Sequence, residues 1–249
     1  MISSGELAPG QQVPTEPDLM ARYGVSRMTA RSALGVLRAE GLVEVRQGTG
    51  TYVRAPQVKV RRDSERYHGE KARARLPLEE RSGKGAVEDA TGLGSDAFEH
   101  DAEFDTEPAT EDLAATFGVE PGAELLCRTY SARSKQEGRP LWLIHSYLVY
   151  DVAAKNPDLL TAENEPWQGG TLNQLWTLGI ELAAITEYVT ARPPTAAECE
   201  LLGIGPGTSV ICIRKVSADT EGHVVEISDI LLPADRTELV YTTKLEPWQ

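Results

Sequence analysis

Two arginines stand four residues apart near the start of the chain, on a segment with helical periodicity. They are Arg27 and Arg31, with Met28 and Thr29 between them. An arginine side chain can donate two parallel hydrogen bonds to a guanine edge, and a threonine hydroxyl can reach a base or a phosphate. Apolar residues at the helical period mark another face: Ala30, Ala33, Leu34 and Leu37. This pattern predicts a helix that packs through one face and presents both arginines to the major groove of DNA.

Two short helices and a tight turn would position these side chains. Thr15 can cap the first helix and Asp18 can complete a capping box, while Gly24 ends this helix. Ser26 can then cap the second helix, which carries Arg27. A connection this short that contains a glycine is typical of a helix-turn-helix.

A β-hairpin with a glycine-rich tip is expected after the second helix. Residues 42–46 and 51–53 flank the stretch Gln47-Gly48-Thr49-Gly50, whose backbone N–H groups can approach phosphate closely. Residues 1–62 hold nine Lys or Arg against five acids, and the remainder holds 16 against 33. The net charge of −13 is therefore +4 in the N-terminal part and −17 beyond it. Such asymmetry is expected when one domain meets DNA and the other does not.

Several segments within residues 5–53 follow one another in a familiar order. They are Leu7-Ala8-Pro9-Gly10, Val13-Pro14-Thr15-Glu16, Gly24-Val25-Ser26-Arg27-Met28-Thr29-Ala30-Arg31, Leu34, Leu37, Glu40-Gly41-Leu42-Val43 and Gly48-Thr49-Gly50-Thr51-Tyr52-Val53. In this order and without gaps they resemble the GntR family of bacterial transcription factors. The resemblance implies a winged helix-turn-helix with a wing tip in the minor groove. The residues it assigns to DNA contact are Ser26, Arg27, Met28, Thr29 and Arg31 on the recognition helix and Gly48 and Thr49 on the wing.

This chain departs from the GntR pattern at two places. Pro17 stands where the family usually carries an arginine, so we expect one DNA contact to be missing. The family also begins with a helix ahead of the Leu7 segment, and here Met1 falls on the last turn of that helix. We expect the native start to lie upstream, and the alternative is a module without this helix. For Arg27 and Arg31 the alternative to DNA contact is an ordinary solvated helix face.

The expected domain order is a DNA-binding domain over residues 1–54, a basic linker over residues 55–75 and a second domain over residues 76–249. Residues 54–75 hold eight Lys or Arg against three acids, which favours an extended connector. The connector either touches the DNA backbone or is a solvated tether. Residues 82–108 are rich in Gly, Asp and Glu, and we expect loops there with at most one short helix.

The second domain contains an internal repeat with an offset of 85 residues. Thr110 to Gly122 recurs as Thr195 to Gly207, and Cys127 recurs as Cys212. Each copy has the pattern of a capped short helix, a glycine C-cap, a Pro-Gly turn and an antiparallel hairpin. Two such units can share one antiparallel sheet about a pseudo-twofold axis, with a cleft between them.

The repeat resembles the UTRA effector-binding domain of HutC-type GntR regulators, whose fold is similar to chorismate lyase. The resemblance covers about residues 100–245 and rests on residues 138–140, 146–147, 191–193 and 226–228. It implies an α+β chain: a winged helix-turn-helix followed by an antiparallel sheet with flanking helices. It also implies an effector site made by Arg128, Tyr130, Ser146, Glu226 and Ser228.

Two residues of this site indicate what the effector is not. Family members that bind phosphorylated sugars carry two arginines where this chain has Arg128 and Tyr130, and one guanidinium is a weaker anion clamp than two. Leu232 replaces an aromatic side chain that often stands there, which again favours a different or more apolar ligand. The alternatives are a surface ion pair for Arg128 and an ordinary strand position for Ser146.

The sequence lacks the usual motifs of catalysis and metal binding. The four histidines have no partner at metal-ligand spacing, and Gly-x-Ser-x-Gly, P-loop and dinucleotide motifs are absent. Three cysteines without Cys-x-x-Cys spacing favour a cytoplasmic location, and no apolar run has the length of a membrane helix. We expect no catalytic residue, cofactor, metal or membrane contact. A chorismate-lyase-like enzyme is an alternative that rests on fold analogy alone.

These patterns predict a homodimeric bacterial transcription regulator, a repressor, that binds a palindromic operator in double-stranded DNA. A small-molecule effector in the second domain would modulate binding. The alternative is a constitutive DNA-binding dimer whose second domain only dimerises.

Overall fold

A computed structural model describes residues 1–46, 48–54, 57–81, 85–205 and 207–245. The chain divides into two compact units, Met1–Gln57 and Val58–Gln249. The helices of the first unit are α1 (Glu16–Tyr23) and α2 (Arg27–Ala39). Its strands β1 (Val43–Arg46) and β2 (Gly50–Val53) pair antiparallel.

Capping residues set the ends of both N-terminal helices. The Thr15 backbone N–H donates to Asp18 Oδ2 at 2.9 Å, and the Thr15 side chain accepts from the Asp18 backbone N–H, which completes the expected capping box. Gly24 ends α1 in the left-handed conformation at φ 63°, and Ser26 Oγ accepts from the Thr29 backbone N–H at 3.2 Å to begin α2. The buried core consists of Val13, Val43 and Val53, with Leu34 and Leu37 among the residues packed against it. The helix-turn-helix and the hairpin are thus confirmed.

The second unit combines two sheets with flanking helices. Its strands are β3 (Val60–Asp63), β4 (Phe98–Pro108), β5 (Glu124–Ser134), β6 (Pro140–Val149), β7 (Leu182–Arg192), β8 (Val210–Asp219), β9 (Val224–Pro233) and β10 (Thr237–Val240). The large sheet is antiparallel and has the order β4-β5-β6-β9-β8-β7, while β3 pairs in parallel with β10. The helices described in this unit are α3 (Arg66–Ala74), α4 (Leu78–Arg81), α5 (Ala86–Thr91), α6 (Glu111–Phe117), α7 (Tyr150–Ala153), α8 (Gly170–Thr177) and α9 (Ala196–Leu202). The α+β class is confirmed.

Helices and β3 cover one face of the large sheet, which we call the inner face. Leu148 of β6 shares an apolar cluster with Leu175 of α8. Trp142 of β6 shares another with Val60 of β3 and Val87 of α5. Polar side chains on the inner face are therefore enclosed beneath these elements.

The predicted repeat is present in the large sheet. At an offset of 85 residues α6 corresponds to α9, and β4, β5 and β6 correspond to β7, β8 and β9. Thr110 and Thr195 cap the two helices, which end at Gly118 and Gly203 in the left-handed conformation. The two halves meet where β6 pairs with β9, and Ser146 lies opposite Ser228 in that pair. Pro206 of the second Pro-Gly turn lies outside the described residues.

Two expectations about the middle of the chain were wrong. The segment expected to be an extended linker over residues 55–75 contains β3 and α3, which belong to the second unit, and Arg62 is buried there; residues 55 and 56 lie outside the described part. Residues 82–108 were expected to hold loops with at most one short helix; α5 fits that expectation, but the whole of β4 also lies there and contradicts it. β4 was missed because its alternate positions from Glu99 to Glu107 are acidic and exposed or half-buried at a sheet edge, so composition concealed the strand.

Candidate functional site

Arg27 and Arg31 lie on the exposed face of α2. Their side chains are 72% and 71% exposed, and Met28 beside them is 82% exposed. Glu16 of α1 accepts from both: Arg27 Nε donates to Oε2 and Arg31 Nε to Oε1, each at 2.9 Å. These bonds hold the pKa of Glu16 below its ordinary value. Glu16 therefore holds the two guanidinium groups side by side through their Nε atoms. The Nη atoms of both arginines are not used in these two bonds and can donate to a guanine edge.

The other predicted DNA contacts lie at the start of α2 and on the hairpin. Ser26 is the N-cap of α2, because its side chain accepts from the Thr29 backbone N–H. Its Oγ also lies 2.9 Å from Thr29 Oγ1. Gly48 has φ 76°, a value that favours glycine at this turn. Thr49 Oγ1 donates to the Arg46 carbonyl at 3.2 Å, and its own carbonyl accepts from Tyr52 Oη at 3.2 Å. Gln47, expected at the same tip, lies outside the described residues.

Four of the five predicted effector residues form one hydrogen-bonded network on the inner face. Arg128 Nη2 donates to Ser146 Oγ at 2.7 Å, and Ser146 Oγ donates to Glu226 Oε1 at 3.1 Å. Ser228 Oγ also donates to Glu226 Oε1. Arg128 and Glu226 are fully buried. The sequence therefore identified residues that are adjacent in space although they come from three strands.

Sequence reasoning missed two further partners of Glu226, both on β8. Ser217 Oγ donates to Oε2 at 2.7 Å, and Lys215 Nζ lies 3.1 Å from the same atom. Burial alone would raise the pKa of Glu226, but Lys215 and the serine hydroxyls together hold this pKa below its ordinary value. Glu226 is thus an ionised buried carboxylate that ties β6, β8 and β9 together.

Tyr130 is attached to this network through α8 and the loop before it. Its hydroxyl donates to Glu165 Oε1 at 3.0 Å, and Gln174 Nε2 donates to the same oxygen at 2.8 Å. Gln174 Oε1 in turn accepts from Arg128 Nη1 at 2.8 Å. The Arg128 guanidinium carbon lies 5.7 Å from the centre of the Tyr130 ring. Burial raises the pKa of Tyr130, so its hydroxyl is a neutral donor.

A cavity of about 720 Å³ opens above this network. Residues that line it include Tyr130, Trp142, Ser146, Lys215, Ser228 and Ile230. Arg128 and Glu226 are not among the lining residues, because they lie beneath the surface that faces the cavity. The structure therefore divides the predicted site into three residues that can touch a ligand and two that hold them in place.

Arg62, Arg66 and Tyr67 line another part of the same cavity and belong to a second polar cluster. Sequence reasoning missed this cluster because these three residues fall in the expected linker. It consists of Arg62 on β3, Arg66 and Tyr67 on α3, and Glu187 on β7. Glu187 Oε1 accepts from Arg62 Nη2 at 2.9 Å and from Tyr67 Oη at 2.5 Å, and Arg66 Nη2 lies 3.5 Å from it. We call this group the Glu187 cluster.

In the described ranges no group of three or more His, Cys, Asp or Glu side chains could hold a metal ion. No helix in those ranges is long and apolar enough to cross a membrane.

A winged helix-turn-helix with exposed arginines, joined to a domain that encloses a polar cavity, defines a DNA-binding transcriptional regulator. Residues 1–53 match the bacterial regulatory proteins of the gntR family, and residues 101–238 match the UTRA domain. The chain therefore belongs to the GntR family of bacterial transcriptional regulators and carries a UTRA domain. It is accordingly a regulator of transcription and not an enzyme.

Relatives and a solved structure match along nearly the whole chain. The HTH-type transcriptional regulator RB1450 of Rhizobium meliloti is 31% identical over 241 residues, which cover 96% of this chain and 88% of that protein. The HTH-type transcriptional repressor NagR of Bacillus subtilis is 23% identical over 241 residues, with the same coverage of 96% and 88%. A crystal structure of a GntR-family transcriptional regulator is 29% identical, covers 98% of this chain and 93% of that chain, and superposes with a TM-score of 0.61.

Proposed function

We propose that the chain is a homodimeric repressor that binds a palindromic operator and is modulated by a small molecule in the cavity of its UTRA domain. The observation that carries this proposal is the presence, in one chain, of an arginine pair exposed on α2 and a cavity of about 720 Å³ in the second unit. The name of its relative NagR, a repressor, supports repression over activation.

In the proposed complex α2 lies in the major groove. Arg27 and Arg31 donate to base edges, Thr29 contacts a base or phosphate, and the exposed Met28 makes apolar contact. The Ser26 side chain caps α2 and fixes its first turn. Ser26 would therefore contact DNA at the N-terminal end of α2. Gly48 and Thr49 approach the backbone and the minor groove from the hairpin. The exposure of all these residues, on α2 and in the turn between β1 and β2, supports their proposed roles.

In the proposed effector complex the ligand lies over the seam where β6 pairs with β9. Tyr130, Ser146 and Ser228 offer hydroxyl groups from the cavity floor, and Ile230 offers apolar surface. Arg128 and Glu226 do not touch the ligand in this arrangement, because both are fully buried behind the serines. They position Ser146 and Ser228 through the hydrogen bonds described above.

The edge strand β7 supports a homodimer. It is 11 residues long, and Tyr188 and Val189 on it are 61% and 38% exposed. Its charged residues are Glu187, which is paired with Arg62, and Arg192 at its end, which is paired with Glu198. An edge strand of this length whose charges are already paired invites pairing with another strand. The opposite edge, β4, carries acidic side chains at alternate positions, which blunt such pairing. We therefore assign the dimer contact to β7.

Selection of duplexes from a random pool by the full-length chain tests this function. We expect a palindromic motif, because a twofold dimer reads two half-sites. Arg31→Ala should then weaken binding to the selected duplex by about 1–3 kcal/mol and relax base preference at one position in each half-site. Arg38→Ala, at the other end of α2, is the matched control and should leave base preference unchanged. Recovery of no motif would refute the proposed DNA-binding function. Equal base preference in Arg31→Ala and wild type would refute the assignment of Arg31 to base contact.

A further inference from the structure

The Glu187 cluster contains more positive than negative charge. Arg62 and Arg66 share a single carboxylate oxygen, Glu187 Oε1, which also accepts from Tyr67. Burial lowers the pKa of Arg62, and the neighbouring Arg66 lowers it further. Glu70 on α3 gives Arg66 some compensation. Arg66 Nη2 also donates to Tyr67 Oη at 2.5 Å, but that hydroxyl carries no charge. Two guanidinium groups that share one carboxylate repel each other, and a further anion would relieve that repulsion.

Both arginines also have buried donor atoms without acceptors. Among the residues that the structure describes, Arg62 Nε and Arg66 Nε are buried and have no hydrogen-bond partner. Both residues line the cavity, and the Arg62 side chain is only 7% exposed. A buried guanidinium N–H that lacks an acceptor destabilises the folded chain, so a ligand that supplies an acceptor is bound more tightly.

Lys215 adds a third cation to the same end of the cavity. It lies opposite Glu187 in the β7–β8 pair, so both side chains are on the inner face. Its ammonium group contacts Glu226 at 3.1 Å, and the residue also lines the cavity. Three cationic side chains from β3, α3 and β8 thus converge on one end, which is separated from Tyr130 by the width of β6 and β9.

We propose that this end of the cavity is an anion subsite, in which Arg62, Arg66 and Lys215 bind a carboxylate or phosphate group of the effector. The inference rests on the proposed function of the cavity and specifies the chemistry of its ligand. The uncharged part of the effector then lies toward Trp142 and Ile230.

The location of this subsite links the ligand to the segment that leads from the DNA-binding unit. The first unit ends at Gln57, and Arg62 lies on β3 just beyond it in the chain. An anion bound to Arg62 and Arg66 fixes β3 and the start of α3 against β8. Effector binding would therefore restrain residues 58–66, the part of the second unit that follows the DNA-binding unit in the chain.

Anion titration of the full-length chain tests the subsite without DNA. The Tm of wild type, Arg66→Gln and Glu187→Gln is measured by thermal shift as inorganic phosphate or glutarate is added. Sodium chloride at equal ionic strength is the reference for each probe. We expect at least one probe to stabilise wild type, and the more effective probe identifies phosphate or carboxylate as the natural group. Arg66→Gln should raise its apparent Kd about tenfold, since it removes a charge-assisted hydrogen bond. Glu187→Gln should lower the Kd, because it removes the competing anion.

Arg61→Gln is the matched control, because Arg61 is the exposed neighbour of Arg62 and changes the net charge equally. Equal Kd values in Arg61→Gln and Arg66→Gln, or no stabilisation by either probe, would overturn the subsite. If circular dichroism shows Arg66→Gln to be unfolded, the Glu187→Gln protein provides the test. An apparent Kd of the probe for Glu187→Gln that is unchanged or raised relative to wild type would overturn the proposed subsite. In wild type, saturating probe should also slow amide exchange over residues 58–66. Anion binding in a chain that selects no operator would keep the subsite and remove the proposed function.

Discussion

Glu226→Gln is the substitution to which the second unit should be most sensitive. The carboxylate is fully buried and accepts from Ser146, Ser217 and Ser228 while it neutralises Lys215. Glutamine has nearly the same shape but no charge, and its amide nitrogen would face donors. The Lys215 side chain is only 11% exposed, so water replaces little of the lost counter-charge.

The size of the effect follows from this burial. Breaking a buried ion pair by removing one partner costs about 3–5 kcal/mol. For a domain of this size each kcal/mol lowers Tm by about 2–4 °C, so the Tm of the second unit should fall by roughly 6–20 °C.

A double-mutant cycle followed by urea and thermal unfolding tests the cause of this loss. Lys215→Met in the Glu226→Gln background removes both charges, and we expect it to restore part of the lost free energy of unfolding. Glu238→Gln is the control, because its carboxylate is 64% exposed and lies 3.6 Å from the exposed Arg61. That variant should change the free energy of unfolding by no more than about 0.5 kcal/mol.

Two results would contradict this reasoning. One is a Glu226→Gln protein as stable as wild type, which would mean that the carboxylate is solvated or protonated in the folded state. The other is a double variant whose loss equals the sum of the two single losses, which would mean that Lys215 and Glu226 do not interact. If the prediction holds, loss of effector response in a Glu226 variant reports a damaged cavity floor, and Ser228→Ala is the better test of ligand contact.

Three further predictions follow from the same geometry. Glu16→Gln should raise affinity for random duplex but reduce discrimination in favour of the selected operator, since the arginine pair loses its orienting acceptor; undiminished discrimination in fluorescence anisotropy would contradict this. Tyr188→Lys should convert dimer to monomer in light scattering, because charge on an edge strand opposes pairing, and an unchanged mass would argue against β7 as the interface. The pKa of Glu226 lies below its ordinary 4.5, so its stabilisation is complete at neutral pH and is lost as pH falls below that value. Urea unfolding across this acid range should show a shallower loss in Glu226→Gln than in wild type.

Sequence patterns predicted the N-terminal unit well because its signals are local. The capping box at Thr15, the glycine at position 24 and the apolar stripe of α2 each act within a few residues, and all are present in the structure. The repeat was equally visible, since helix caps and turns recur at one offset. Glu16 was missed because it was matched only as part of a motif, and its bonds to Arg27 and Arg31 require knowledge of how α1 and α2 cross.

The cavity was only partly predictable because it depends on long-range pairing. β8 places Arg214 and Lys215 next to each other in sequence but on opposite faces, and only the sheet order shows that Lys215 is the buried one. The offset of 85 residues was an unused signal, because it equates Lys215 with Tyr130. Arg62 and Arg66 gave no sequence signal of burial, since a run of cations is typical of solvated linkers.

The sheet order β4-β5-β6-β9-β8-β7 is the order that two copies of one three-stranded half would adopt if they dimerised along a central seam. In such an ancestor the pair that corresponds to β6 and β9, where Ser146 lies opposite Ser228, would have joined two polypeptides. Any cavity above that pair would have been symmetrical. Once the two halves belong to one chain, each can carry different side chains. Tyr130 and Lys215 occupy equivalent places in the two halves, yet one presents a neutral hydroxyl and the other a cation. The two ends of the cavity therefore differ in charge, and the proposed effector would have one preferred orientation in it, which a symmetrical cavity could not impose.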